Sequence, residues 1–193
     1  MSKVLVPQVV RAAAGVAALV ALAVVPVAAQ AGTTNATGTL TSGSLSNTMP
    51  AITPFSATLT GTTQTINTNV GAWSVTDARG TSLGYNVTAS ATAPTVGGVA
   101  ADAGTGATLA LTPKTATKAS GNTAGTIGPV ATPGPVPLTT VAATIQTAAA
   151  LTGQGQWDFA ADTSSGSLAV VIPGDAKPGA YSSTLTFTTA PLA

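Results

Sequence analysis

The sequence predicts an all-β fold, an antiparallel β-sandwich of the Ig-like or Greek-key type, and three observations carry that prediction. Thr is the commonest residue after Ala31, with 36 copies, and Val accompanies it throughout. Both are β-branched, so they fit a pleated, half-buried surface and lose rotamer freedom in a helix. Apolar residues recur with a period of two in short runs, and no stretch shows the helical period with a charged outer face. Gly and Pro, 21 and 13 in number, punctuate the runs where the chain must turn.

The first 31 residues stand apart from this pattern. Lys3 and Arg11 precede an apolar run from Ala12 to Val25 that stops before Pro26, which is the layout of a secretory signal peptide. The run is shorter than the roughly 20 residues of a permanent bilayer-spanning helix. Small residues at Val27-Ala-Ala29 and, more strictly, at Ala29-Gln-Ala31 offer cleavage sites, the second placing the cut after Ala31. A retained anchor lengthened by residues 4–10 is the rival reading. Residues 32–193 are then expected to form one extracellular β-sandwich with no permanent membrane span.

Within that region alternation marks residues 55–60, 73–76, 83–90, 109–111, 168–172 and 181–188 as strands. Turn residues at Asp77-Ala-Arg-Gly80 and from Pro173 to Gly179 separate them. Residues 140–151 are rich in Ala, but their Thr, Val and Ile and their lack of charge disfavour a surface helix, so strand is preferred. Pro113, Pro129, Pro133, Pro135 and Pro137 mark residues 112–137 as a long Pro/Gly-rich surface loop. A linker between two small domains is the alternative, against which neither half holds enough strands to close a sandwich.

Composition excludes most chemistry. The chain is 45% hydrophobic and 6% charged, with no Cys and no His. Disulfides, thiol nucleophiles, Ser-His-Asp triads and ordinary zinc sites therefore have no residues to build them. A formal charge of +1 is too small to draw in nucleic acid through its phosphates. The acids are Asp77, Asp102, Asp158, Asp162 and Asp175. Asp158 and Asp162 could serve as the carboxylate pair of a glycan hydrolase, but a turn-forming, solubilising role fits Asp162-Thr-Ser-Ser-Gly166 better. With no His in the chain no serine can be activated as in a nucleophile elbow, and no phosphate-cradling glycine loop is present. The expectation is a protein without enzymatic activity and without a cofactor or metal. Asn35-Ala-Thr37 and Asn86-Val-Thr88 match the glycosylation pattern, as chance matches do in a Thr-rich chain. The few aromatics, two Trp, two Tyr and three Phe, are core anchors or binding surface, and core is preferred for both Trp.

Two segments carry a family resemblance. Gly71-Ala-Trp73-Ser-Val75-Thr-Asp77-Ala-Arg-Gly80, followed by Gly84-Tyr85-Asn-Val87-Thr-Ala89-Ser, resembles the first Trp segment of WxL-domain proteins, exported cell-surface modules of Gram-positive bacteria. Residues 148–157 and 168–189 are similar to the family's closing segment, whose Tyr-x-x-x-Leu element is Tyr181 to Leu185 here. The Trp-x-Leu motif itself appears as Trp73-Ser-Val75 and, downstream, as Trp157-Asp-Phe159, neither literal. The similar segments span most of residues 39–190, with 112–137 outside. The resemblance implies non-covalent attachment to peptidoglycan or another cell-wall polymer at the cell surface, with further surface proteins as partners. It also implies that Trp73, Val75, Tyr181 and Leu185 carry the wall-binding signature. A self-assembling subunit of a surface layer or fibre, built through exposed strand edges, is the alternative.

Overall fold

The computed structural model describes residues 37–193 except 105, 125, 164 and 165. The expected leader and Asn35 lie outside the described residues. Residues 40–193 form one compact unit. Its strands are β1 (Leu45–Asn47), β2 (Gln64–Thr68), β3 (Trp73–Asp77), β4 (Tyr85–Ala91), β5 (Thr95–Val96), β6 (Thr108–Leu111) and β7 (Ala116–Lys118). Then come β8 (Val130–Ala131), β9 (Val136–Leu138), β10 (Ala143–Ala148), β11 (Gly155–Phe159), β12 (Leu168–Ile172), β13 (Tyr181–Ser182) and β14 (Leu185–Pro191). One 3-10 turn, Ala100–Ala103, interrupts the series.

The fold is all-β, and every ladder between these strands is antiparallel. Three four-stranded sheets run in the orders β1-β3-β11-β7, β14-β4-β10-β8 and β2-β12-β6-β9, and β13 pairs with β5. They pack as a sandwich around one apolar core. Alternation explains why: on β4, Tyr85, Val87, Ala89 and Ala91 are buried while Asn86, Thr88 and Ser90 are half-exposed. β3 and β12 repeat the pattern. Burying each larger apolar side chain contributes about 1.5–3 kcal/mol, and with no Cys in the chain this core must hold the sandwich without covalent help.

Several expected elements take a different form. Residues 55–60 alternate but form no ladder. They pack Phe55 and Leu59 against the core, and the Gln64 side chain donates to the Thr58 carbonyl at 3.0 Å. Residues 181–188 form two strands joined to different partners. β13 pairs with β5 and β14 with β4, because Ser183 Oγ donates to the Thr92 carbonyl and fixes a corner between them. Residues 112–137, expected as one loop, carry β7 and β8 and open β9. Each of these three strands is the outermost of its sheet. Pro lacks the N–H that a central strand must donate but is tolerated at an edge, so the prolines that suggested a loop mark edges instead.

The expected turns join strands of different sheets. Among the described residues no ladder joins strands that are consecutive in sequence. The 78–84 connection carries the chain from the β1-β3-β11-β7 sheet to the β14-β4-β10-β8 sheet. Gly84 makes that passage possible. Its φ is +76°, and a Cβ there would lie 2.2 Å from the Ala148 carbonyl oxygen. Its own carbonyl accepts from Arg79 Nη2 at 2.7 Å and from the Leu192 amide at 3.2 Å. Gly84→Ala is expected to cost about 2 kcal/mol or more through the left-handed backbone and the clash. In urea unfolding this is a midpoint lowered by about 1 M, and an unchanged midpoint would refute it.

Candidate functional site

The four residues singled out by resemblance separate into two pairs. Trp73 and Val75 point inward from β3, 7% and 0% exposed. The Trp73 ring stacks on Phe159, its register partner on β11, with centroids 3.8 Å apart and planes 9° from parallel, and meets Phe187 of β14 at 6.1 Å. The stack lies within one sheet, and the Phe187 contact joins it to the β14-β4-β10-β8 sheet. Trp157 is buried as well. Its indole N–H donates to the Gln154 carbonyl at 3.0 Å, and Gly128 lies so close that a Cβ would sit 2.5 Å from the ring.

Tyr181 and Leu185 are half-exposed and share one cavity of about 200 Å³. Its one wall is the corner from Tyr181 to Leu185, fixed by the Ser183 bond to Thr92, by Thr184 N donating to Thr92 Oγ1 at 2.9 Å and by the Ser182 and Thr95 hydroxyls 2.9 Å apart. Tyr181 Oη donates to the Lys177 carbonyl at 3.3 Å. The facing wall is Ile52 to Phe55. There Ile52 bridges Val70, Thr53 N donates to the Asn69 carbonyl at 2.9 Å and Thr68 Oγ1 donates to the Thr53 carbonyl. Leu109, Leu168 and Val170 form the floor. A wider groove along residues 54–59 and 178–181 opens beside it and shares Pro54, Phe55 and Tyr181. No charged side chain lines the cavity.

Sequence reasoning missed the Ile52–Phe55 wall. The nearest sequence signal is the apolar alternation of residues 55–60, which by its period predicts a strand. Without a ladder partner on that side, the segment leaves its apolar face partly open toward the cavity.

The charged groups are engaged elsewhere. Asp162, expected to solubilise a turn, has a side chain only 2% exposed and pairs with Lys114. Its Oδ2 accepts from the Val70 amide at 2.8 Å and from the Ser167 amide and hydroxyl, each at 2.7 Å. Burial disfavours its charged form, but Lys114 and these donors outweigh that and hold the carboxyl well below the usual carboxylate range. The Lys114 carbonyl accepts from Gln146 Nε2 at 2.6 Å, extending the network to β10. Asp77 accepts both arms of Arg79, at 2.9 and 2.8 Å, and this bidentate contact lowers its pKa against an opposing effect of burial. Tyr85, fully buried, has its phenol pushed up, chiefly by burial. Asp102 pairs with Lys177 at 2.6 Å, and Asp158 accepts from Gln156 at 2.9 Å. General-acid work needs a carboxyl with a raised pKa; Asp162 is shifted the other way.

Among the described residues no group of three or more potential metal ligands converges, and no helix is long and apolar enough to cross a membrane. Fold and cleft together define a β-sandwich of low charge with an uncharged, largely apolar cavity at its surface. The chain matches the WxL family, described as WxL domain surface cell wall-binding, over residues 26–191, and it belongs to that family. The match takes in residues 112–137, which the sequence resemblance had left out. No match to the chain was found among curated proteins or among solved structures. Association with the cell wall at the cell surface follows from the family.

Proposed function

We propose that the protein is an exported, non-catalytic module of a Gram-positive surface, released from a leader of residues 1–31 and attached non-covalently to peptidoglycan. The family match over residues 26–191 carries this reading. Of the four signature residues, Tyr181 and Leu185 act as contact residues at the cleft, while Trp73 and Val75 act within the core of the sandwich. Sugar rings present apolar C–H faces and hydroxyls, and a half-exposed Tyr among Ser and Thr side chains suits both. The polymer repeats, so weak single contacts become retention by avidity. Other surface proteins are additional partners on the same wall.

Sedimentation with purified walls is the test. The full chain is expected in the pellet, Tyr181→Ala is expected to reduce its recovery severalfold, and no soluble sugar is expected to appear above a protein-free blank. Protein left in the supernatant refutes wall attachment. Sugar release that is lost on Asp158→Asn refutes the non-catalytic reading. Assembly that grows with concentration in the absence of walls, seen by light scattering, favours a structural subunit instead.

A further inference from the structure

We infer that the cavity between Ile52–Phe55 and Tyr181–Leu185 receives the acetamido group of an N-acetylated amino sugar, so that the domain reads the neutral glycan strand of the wall rather than its anionic polymers. The inference rests on the wall-binding reading and assigns it a chemical determinant. Three features of the cavity argue for it together.

The first is size. At about 200 Å³ the cavity is smaller than the roughly 300–1,000 Å³ of sites that enclose whole drug-sized ligands. It suits one substituent of a polymer whose backbone lies outside, and the adjoining groove along residues 54–59 and 178–181 provides that outside path. The second is lining. Leu109, Leu168 and Val170 form an apolar floor suited to a methyl group, while the Ser182 and Ser183 hydroxyls stand at the rim. A hydroxyl has one donor and two acceptor positions, so Ser183 keeps acceptor capacity for an amide N–H after donating to Thr92. Ser182, sharing a hydrogen bond with Thr95, keeps capacity for the acetamide carbonyl.

Charge is the third feature. No Lys, Arg or Asp lines the cavity, and Arg79, Lys114 and Lys177 are each paired with an Asp. A phosphate or carboxylate entering here would lose water and gain no cation, a heavy desolvation cost. An unsubstituted sugar would leave the apolar floor unfilled. An acetamide supplies a methyl, one donor and one acceptor with no charge.

Calorimetric titration of the full chain with the β-1,4-linked N-acetylglucosamine tetramer, set against the β-1,4-linked glucose tetramer, tests the inference. Both probes are neutral, so the comparison isolates the acetamide. The acetylated tetramer is expected to bind at least tenfold tighter, and the Leu109, Leu168 and Val170 methyl resonances are expected to shift while those of Val75 do not. Thr53→Trp, a change at an exposed position on the cavity mouth, should abolish the difference while leaving the unfolding midpoint in place. Should that variant fail to fold, the resonance shifts still decide. Wall recovery should hold in 1 M salt, where screening shortens electrostatic reach to about 3 Å. Walls that retain the protein while the two tetramers bind equally, or retention that 1 M salt abolishes, overturn the cavity assignment and leave wall binding standing. Failure to sediment with walls at all overturns the reading beneath it.

Discussion

Asp162→Ala is expected to lower the free energy of unfolding by about 3 kcal/mol or more, the larger share coming from backbone and hydroxyl donors rather than from the ion pair. Asp162 Oδ2 accepts three hydrogen bonds, from the Val70 amide and from the Ser167 amide and hydroxyl. Val70 and Ser167 are both buried. Each donor left without a partner costs about 1–3 kcal/mol. Lys114→Met leaves the buried Asp162 carboxylate without its cation but still holding all three donors, so it is expected to cost less than Asp162→Ala. Urea unfolding of the two variants decides the matter. Equal losses would show that the ion pair, and not the donors, is the main contribution of Asp162.

The same network sets the response to acid. Asp162 and Asp77 both titrate in the native state below their ordinary values, near 3.9 in an unfolded chain. A depressed native pKa gives stability that is fully present above the unfolded pKa and is lost as pH falls through that value toward the native one. The unfolding midpoint should therefore hold steady down to about pH 5 and drop below about pH 4. With no His and no Cys in the chain, no side chain of ordinary pKa titrates between pH 5 and 8. Asp162→Asn should flatten the acid limb. A midpoint that changes between pH 5 and 8, or an acid limb as steep in Asp162→Asn as in the wild type, would contradict this account.

How much of this was legible in the sequence differs between the levels of structure. Strand identity on β3, β4, β6 and β12 followed from alternation because each has one face in the core, and side-chain period is the same wherever the partner strand comes from. Pairing was not legible. Turn residues at 77–80 mark a break between two strands without saying which partners they take, and Asp77 ends β3 in one sheet while Tyr85 opens β4 in another. Nothing local distinguishes a turn that closes a hairpin from one that changes sheets. The Pro-rich stretch misled for a related reason, since Pro137 sits within β9, where its missing N–H faces no strand. At the candidate site, Tyr181 and Leu185 were visible through the family motif, whereas Ile52 and Phe55 reach them across more than 120 residues of chain. Asp162 carried no local sign of burial because its partners, Val70, Lys114 and Ser167, come from three separate segments.

Trp73→Ala is expected to cost about 3–5 kcal/mol, the usual range for truncating a buried aromatic, with the lost ring stack accounting for about 0.5–1.5 kcal/mol of it. Domains of this kind are stable by about 5–15 kcal/mol in total, so the loss takes a large share. The indole fills the space between Phe159 of β11 and Phe187 of β14, and its removal opens a cavity where two sheets meet. Trp73→Phe keeps an aromatic face against Phe159 and should cost less. Wall sedimentation then distinguishes the two roles a signature Trp can have. If Trp73 acts by holding the sheet, Trp73→Ala loses wall recovery only in proportion to its unfolded fraction, and Trp73→Phe is recovered like the wild type. A Trp73→Ala protein with a wild-type urea midpoint and no wall recovery would place the indole on the polymer, and would require the β3 face to open toward it.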